Sequence, residues 1–295
     1  MSVGIWKRTY EDDIDYFMRA WFLRLRFRGN KCRIVGRWKP RFVKTLQRRG
    51  ATELWLNDMW GFAEGNLDFL KDVPFITSVD VVGCIEDTGV LGLPTLRKIS
   101  LQTDCNARID FTKFPQLEEL TVSKRPGVET AFRSKTITRL SVSSAPVRRT
   151  SELSDMTSLK KLILEPCRRL EEVDWLPEGI EELSIYSAPK LTFNKLPDAA
   201  KSLRKLDIES CKNIRDLSFL SQLPELEYLG IAEGGEYESL APLANCKKLK
   251  MLIAHGNTRI MDNDLSVLNE LPELASEDVR LIERRSYFGY EFADD

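Results

Sequence analysis

The sequence predicts an α/β repeat fold, a stacked solenoid in which every turn adds one short strand to a curved parallel sheet. Two observations carry this. An apolar triplet, spaced as first, fourth and sixth residue, recurs ten times at intervals of 20 to 25 residues, and a fixed period of that length marks a chain of stacked units. The fourth and sixth residues lie two apart, so on an extended strand both point to one side while their neighbours point to the other.

In order, the triplets are Ala51/Leu54/Leu56, Ile76/Val79/Val81, Leu96/Ile99/Leu101, Leu117/Leu120/Val122, Ile137/Leu140/Val142, Leu159/Leu162/Leu164, Ile180/Leu183/Ile185, Leu203/Leu206/Ile208, Leu226/Leu229/Ile231 and Leu249/Leu252/Ala254. No single turn can bury these groups, but turns stacked about 4.8 Å apart share one continuous core. Residues such as Leu217, Leu220 and Leu223 line the return path. Repeats this short leave no room for a full helix on the convex side, which is expected to be extended chain and 3₁₀ turns.

Three positions past the sixth residue the chain bends away, and small donors are expected to face the coil there. Cys84, Cys167, Cys211 and Asn257 occupy that ladder, with Ala145 and Ala188 in other turns. The pattern LxxLxL followed by Cys or Asn resembles the leucine-rich repeat family. Segments such as Asp216-Leu217-Ser218-Phe219-Leu220 are most similar to its short-repeat, internalin-like bacterial branch. The resemblance spans residues 51 to 279 as ten to eleven repeats, and it implies a bacterial protein that binds other proteins. Cys105 falls one residue late, Arg125 and Gly234 replace ladder residues, and an eleventh triplet has Glu277 where leucine belongs.

Outside the repeats, residues 1–50 are expected to form a basic cap and residues 280–295 a C-terminal cap. Phe22, Arg24, Arg26 and Arg28 alternate with Leu23, Leu25 and Phe27 before Gly29-Asn30, which predicts a β-hairpin with one cationic face. Pro40 can open a short helix reaching Arg49, with Phe42, Val43 and Leu46 at helical spacing. At the far end Phe288, Tyr290 and Phe292 alternate as a closing strand.

Net charge is only −1, yet Arg19 to Gly50 holds twelve Lys and Arg and no acid, which leaves 32 basic against 45 acidic residues elsewhere. Met1 to Phe17 is broken by Glu11, Asp12, Asp13 and Asp15, and no apolar run reaches membrane-spanning length. Three of the six cysteines fall on the turn ladder rather than in a disulfide pattern, so a reducing cytoplasm is the expected compartment.

Catalysis has little support. His255 is the single histidine, and no GxxxxGK[ST], HExxH or GxSxG motif occurs, so neither an enzyme nor a cofactor or metal site is expected. On the outward sheet face the column between the strand leucines is mostly small and polar. Tyr186, Tyr228, Met251, Ile253 and His255 gather near the last turns and are the candidate partner-binding residues. An alternative is that the C-terminal tail folds over them.

The basic cap has three readings. Arg24, Arg26, Arg28 and Arg33, with Lys31, Arg37, Lys39 and Arg41, either solvate a hairpin edge, dock an acidic protein surface or bind nucleic acid, with Trp21 and Trp38 available for stacking. Taken together, the sequence points to a non-enzymatic interaction module, of the kind that sequesters one toxin or enzyme as an inhibitor or immunity protein. The alternative is a protein that docks nucleic acid or an acidic surface through its cap.

Overall fold

The computed structural model describes residues 24–193, 195–275 and 279–280. The chain divides into two compact units, residues 24–109 with 113–117, and residues 110–112 with 118 onward. Trp21, Glu277, Phe288, Tyr290 and Phe292, and with them the closing strand, lie outside the described residues.

In the first unit, β1 (Leu25–Arg28) pairs antiparallel with β2 (Lys31–Ile34). The hairpin turns at Gly29, whose φ of +62° is a conformation that costs a glycine little. β2 then pairs in parallel with β3 (Glu53–Asn57), followed by β4 (Ser78–Gly83) and β5 (Lys98–Thr103). Cys32, Leu54, Val79 and Ile99 share one register row, and all are buried. The hairpin therefore extends the core column of the first repeats. Helix α1 (Phe42–Arg48) buries Phe42 and Leu46, four residues apart on one face. Trp38 stacks on Phe69 at 4.3 Å and meets Phe42 edge-on at 5.7 Å.

The second unit is a parallel ladder of β6 (Glu119–Ser123), β7 (Arg139–Ser143), β8 (Lys161–Leu164), β9 (Glu182–Tyr186), β10 (Lys205–Glu209) and β11 (Tyr228–Gly230). β13 (Met251–Ile253) and β15 (Val279–Arg280) continue it. Leu120, Leu140, Leu162, Leu183, Leu206, Leu229 and Leu252 run in one row at 0–1% exposure, as the triplet spacing requires. A second, two-stranded ladder pairs β12 (Glu236–Tyr237) with β14 (Arg259–Ile260).

Most return paths in both units hold 3₁₀ turns, among them Asp68–Asp72, Thr88–Gly92, Val128–Arg133, Ser218–Gln222 and Ala241–Asn245, while the return from β8 to β9 is extended chain and turns. Their buried residues, Phe69, Leu70 and Val90 in the first unit and Leu220 and Leu243 in the second, close the core opposite the strands. Short repeats and a 3₁₀ return are thus two sides of one length constraint. Among the described residues, no helix is long and apolar enough to cross a membrane.

The bend after each strand is built differently from the expected donor ladder. Two residues past the sixth triplet position the backbone turns left-handed: Ser144, Ser187, Ser210 and Glu233 have φ between +52° and +57°. Each of their N–H groups donates to a carbonyl of the following turn, Glu165, Glu209, Ala232 and His255 respectively, at 3.0–3.1 Å. Backbone thus satisfies backbone. Cys167 and Cys211 do face the interior, fully buried, and the Cys211 thiol donates to the Glu209 carbonyl at 3.4 Å.

Cys84 and Asn257 do not face inward; both are exposed. The reason is an acid in the preceding turn. Asp58 Oδ2 accepts from the Cys84 N–H at 2.7 Å, and Glu233 Oε2 accepts from the Asn257 N–H at 3.2 Å and from its Nδ2 at 2.9 Å. Both carboxylates need a glycine in front of the donor, because a Cβ on Gly83 or Gly256 would overlap them. At Gly234 the ladder position is filled by the buried ring of Tyr237, which reaches under the turn.

Candidate protein-binding surfaces

Register brings the tyrosine-face candidates together. Tyr228 lies beside Met251, and Gly230 beside Ile253, on neighbouring strands. Tyr186 lies beside Glu209 on β9 and β10. Tyr186, Tyr228, Met251, Ile253 and His255 are each half-buried, so all present part of their surface.

Beneath them the middle column is not a solvated strip, contrary to what small polar residues on an outward face suggest. Ser184 is 2% exposed and Asp207 8%. The flanking side chains lean over them. Tyr186 donates its hydroxyl to Asp207 Oδ2 at 2.9 Å, and Lys205 Nζ stands 4.6 Å from the centre of the Tyr228 ring. A Cβ on Gly230 would collide with the Asp207 carboxylate, so the glycine makes the room in which that carboxylate sits. Burial, then the charge of Asp207, pushes the Tyr186 phenol above its ordinary range, and it remains a donor at neutral pH. Glu209 is also pushed up, chiefly by burial and next by Asp207, with Glu233 and Glu165 adding to it and His255 opposing. The result is an aromatic centre with an acidic margin, locked by its own hydrogen bond.

The basic cap is arranged differently from a simple cationic edge. Arg24 and Arg28 are exposed, whereas Arg26 and Arg33, directly opposite each other in the hairpin, are half-buried. Arg33 pairs in register with Trp55. Its guanidinium lies 4.2 Å from the Trp60 ring centre and 5.3 Å from that of Trp55, and Lys31 Nζ lies 4.9 Å from Trp55. The indoles meet edge-on at 5.3 Å, and Trp55 Nε1 donates to Asp80 Oδ2 at 2.5 Å. Trp38, expected to add stacking to this surface, instead packs inward on Phe69.

Sequence reasoning missed Met59 and Trp60, which are 83% and 41% exposed. Met59 sits three residues past Leu56, where an inward ladder residue is expected. Here, however, Asn57 Oδ1 accepts from the Trp60 N–H at 3.2 Å and starts a 3₁₀ turn over Asp58–Trp60, which turns both side chains outward. An Asn followed by acid at the start of such a turn is the signal that could have found it.

The sequence matches no protein-family model and no curated protein. Solved structures do resemble the chain. A leucine-rich-repeat protein of Leptospira interrogans is 16% identical with a TM-score of 0.54, over 84% of this chain and 69% of that one. An internalin of Listeria monocytogenes is 14% identical with a TM-score of 0.51, over 85% of this chain and 82% of that one. At these identities the likeness speaks for the fold. The protein has the leucine-rich-repeat fold, and its short repeats with 3₁₀ returns are the form that the triplet spacing predicted.

Proposed function

We propose that this protein is a non-catalytic binding module that holds one protein partner on its tyrosine face. The observation that carries this is the cluster of half-buried Tyr186, Tyr228, Met251, Ile253 and His255 on the outward side of the last turns, where Tyr228 and Met251 stand side by side, since Tyr in particular supplies rigid contact area at low entropic cost. Asp207 fixes the Tyr186 hydroxyl in advance, which lowers the ordering cost of binding. The acidic margin of Glu165, Glu209 and Glu233 suits a partner surface rich in Arg or Lys.

A chain that binds and performs no chemistry fits a cytoplasmic inhibitor or immunity protein that sequesters a toxin or enzyme. Co-expression with the product of an adjacent gene tests that role: relief of its toxicity supports it, and unchanged toxicity removes it. The face itself is tested on the isolated complex. Tyr228→Ala should weaken affinity by about tenfold or more, as hot-spot tyrosines do, while Ser141→Ala changes it little. Equal effects of the two substitutions would place the contact elsewhere.

A further inference from the structure

We propose that the surface formed by Arg33, Trp55, Met59 and Trp60 is a second docking site, built from residues 26–60 alone, and that it takes a short acidic segment of a partner protein carrying one apolar side chain. Two features coincide there. Met59 and Trp60 are adjacent in the chain and supply two of the five exposed large hydrophobic side chains among the described residues. Directly beside them lies the hairpin, drawn from a stretch with twelve basic residues and no acid. An acidic segment meets the positive field, and its apolar residue covers Met59 and Trp60.

The site is ordered before anything binds. Trp55 is held through its indole N–H by Asp80, and the Arg33 guanidinium lies over Trp60 at 4.2 Å. Groups already fixed lose little freedom on association. The same geometry disfavours a nucleic acid. Lys31 and Arg33 already stand against the Trp55 ring, at 4.9 and 5.3 Å from its centre, where a stacking base would have to displace them. The carboxylates of Glu53, paired with Lys31 at 3.6 Å, and of Asp80 interrupt any continuous track for phosphates. A short peptide can place its acids on the hairpin and avoid both.

The test titrates the full chain with three fluorescent probes: an Asp/Glu-rich peptide carrying a single Phe, the same peptide with Ser in place of Phe, and single-stranded oligothymidylate. The Phe peptide should bind about tenfold tighter than the Ser peptide, with an affinity that falls as salt rises. Trp60→Ala and Met59→Ser should each remove most of that difference, and Arg33→Gln should weaken both peptides. Met59 is so exposed that its substitution leaves the fold intact, which keeps the result readable if a tryptophan variant misfolds.

Three results would overturn the proposal. One is equal affinity for the two peptides, and another is tighter binding of oligothymidylate than of either. The third is a carbodiimide cross-link from Lys31 to Asp12 or Asp13 of the same chain, which would mean that the face is covered from within.

Discussion

Leu206→Ala is the most direct probe of the repeat register. Leu206 has no exposed surface and sits in register between Leu183 and Leu229, themselves fully buried. Truncation removes the equivalent of three buried methylenes at about 0.8 kcal/mol each, so transfer alone costs about 2.5 kcal/mol. Strands fixed on both sides cannot collapse into the space, and the cavity term carries the total toward the upper part of about 2–5 kcal/mol. Urea unfolding followed by far-UV circular dichroism measures it, with Ser141→Ala on the outward face as the comparison at about 0.5 kcal/mol or less. A Leu206 variant no less stable than the Ser141 variant would refute the assignment of inward and outward faces. Ser184→Ala belongs between them, at about 1 kcal/mol, because Ser184 is 2% exposed and packed beneath its neighbours.

Cysteine labelling tests the interior. Burial pushes the thiols of Cys32 and Cys211 up to about 12 and those of Cys167 and Cys246 to about 11, so at pH 8 they carry almost no thiolate. Native protein should label first at exposed Cys84 and half-exposed Cys105, and denatured protein at all six; a disulfide at Cys167 or Cys211 would contradict the packing. Gly230→Ala should lower stability by about 1–3 kcal/mol in thermal unfolding, because the new Cβ meets the Asp207 carboxylate. A neutral outcome would mean that Asp207 moves aside freely.

The inward rows were legible because burial leaves the sequence no choice. An apolar residue must return at every fourth and sixth position, and a slip by one residue would turn the whole set outward. The turns were not legible, because their N–H groups are satisfied by carbonyls of the next coil, which every residue carries. Where a side chain does intervene, at Asp58 and Glu233, the acid and its recipient belong to different repeats. A motif read within one repeat cannot show that pairing. The outward face was misread at Ser184 and Asp207 for a related reason. Their exposure is set by Tyr186, one turn away from Asp207 and two residues along the chain from Ser184.

That dependence of each turn on the next also explains how the outward face can be varied without loss of the fold. At the first strand position several neighbouring turns carry opposite charges: Lys161 pairs with Glu182 at 2.5 Å, Arg139 with Glu119 at 3.5 Å, and Lys31 with Glu53 at 3.6 Å, while Arg139 and Lys161 stand side by side. A second row repeats the arrangement, with Glu227 shared between Arg204 at 2.5 Å and Lys250 at 2.9 Å. Each exposed pair contributes only about 0–1 kcal/mol. Where opposite charges face one another they favour the observed register, since like charges directly opposite across strands repel. The core rows supply the stability and the charge rows discourage slippage, which leaves the middle column free of both duties. It is in that column and beside it that Arg33 and Trp55, Asp207 and Tyr186, and Gly230 and Ile253 occur. Side chains that neither bury the core nor pair the turns are the ones a binding surface can use.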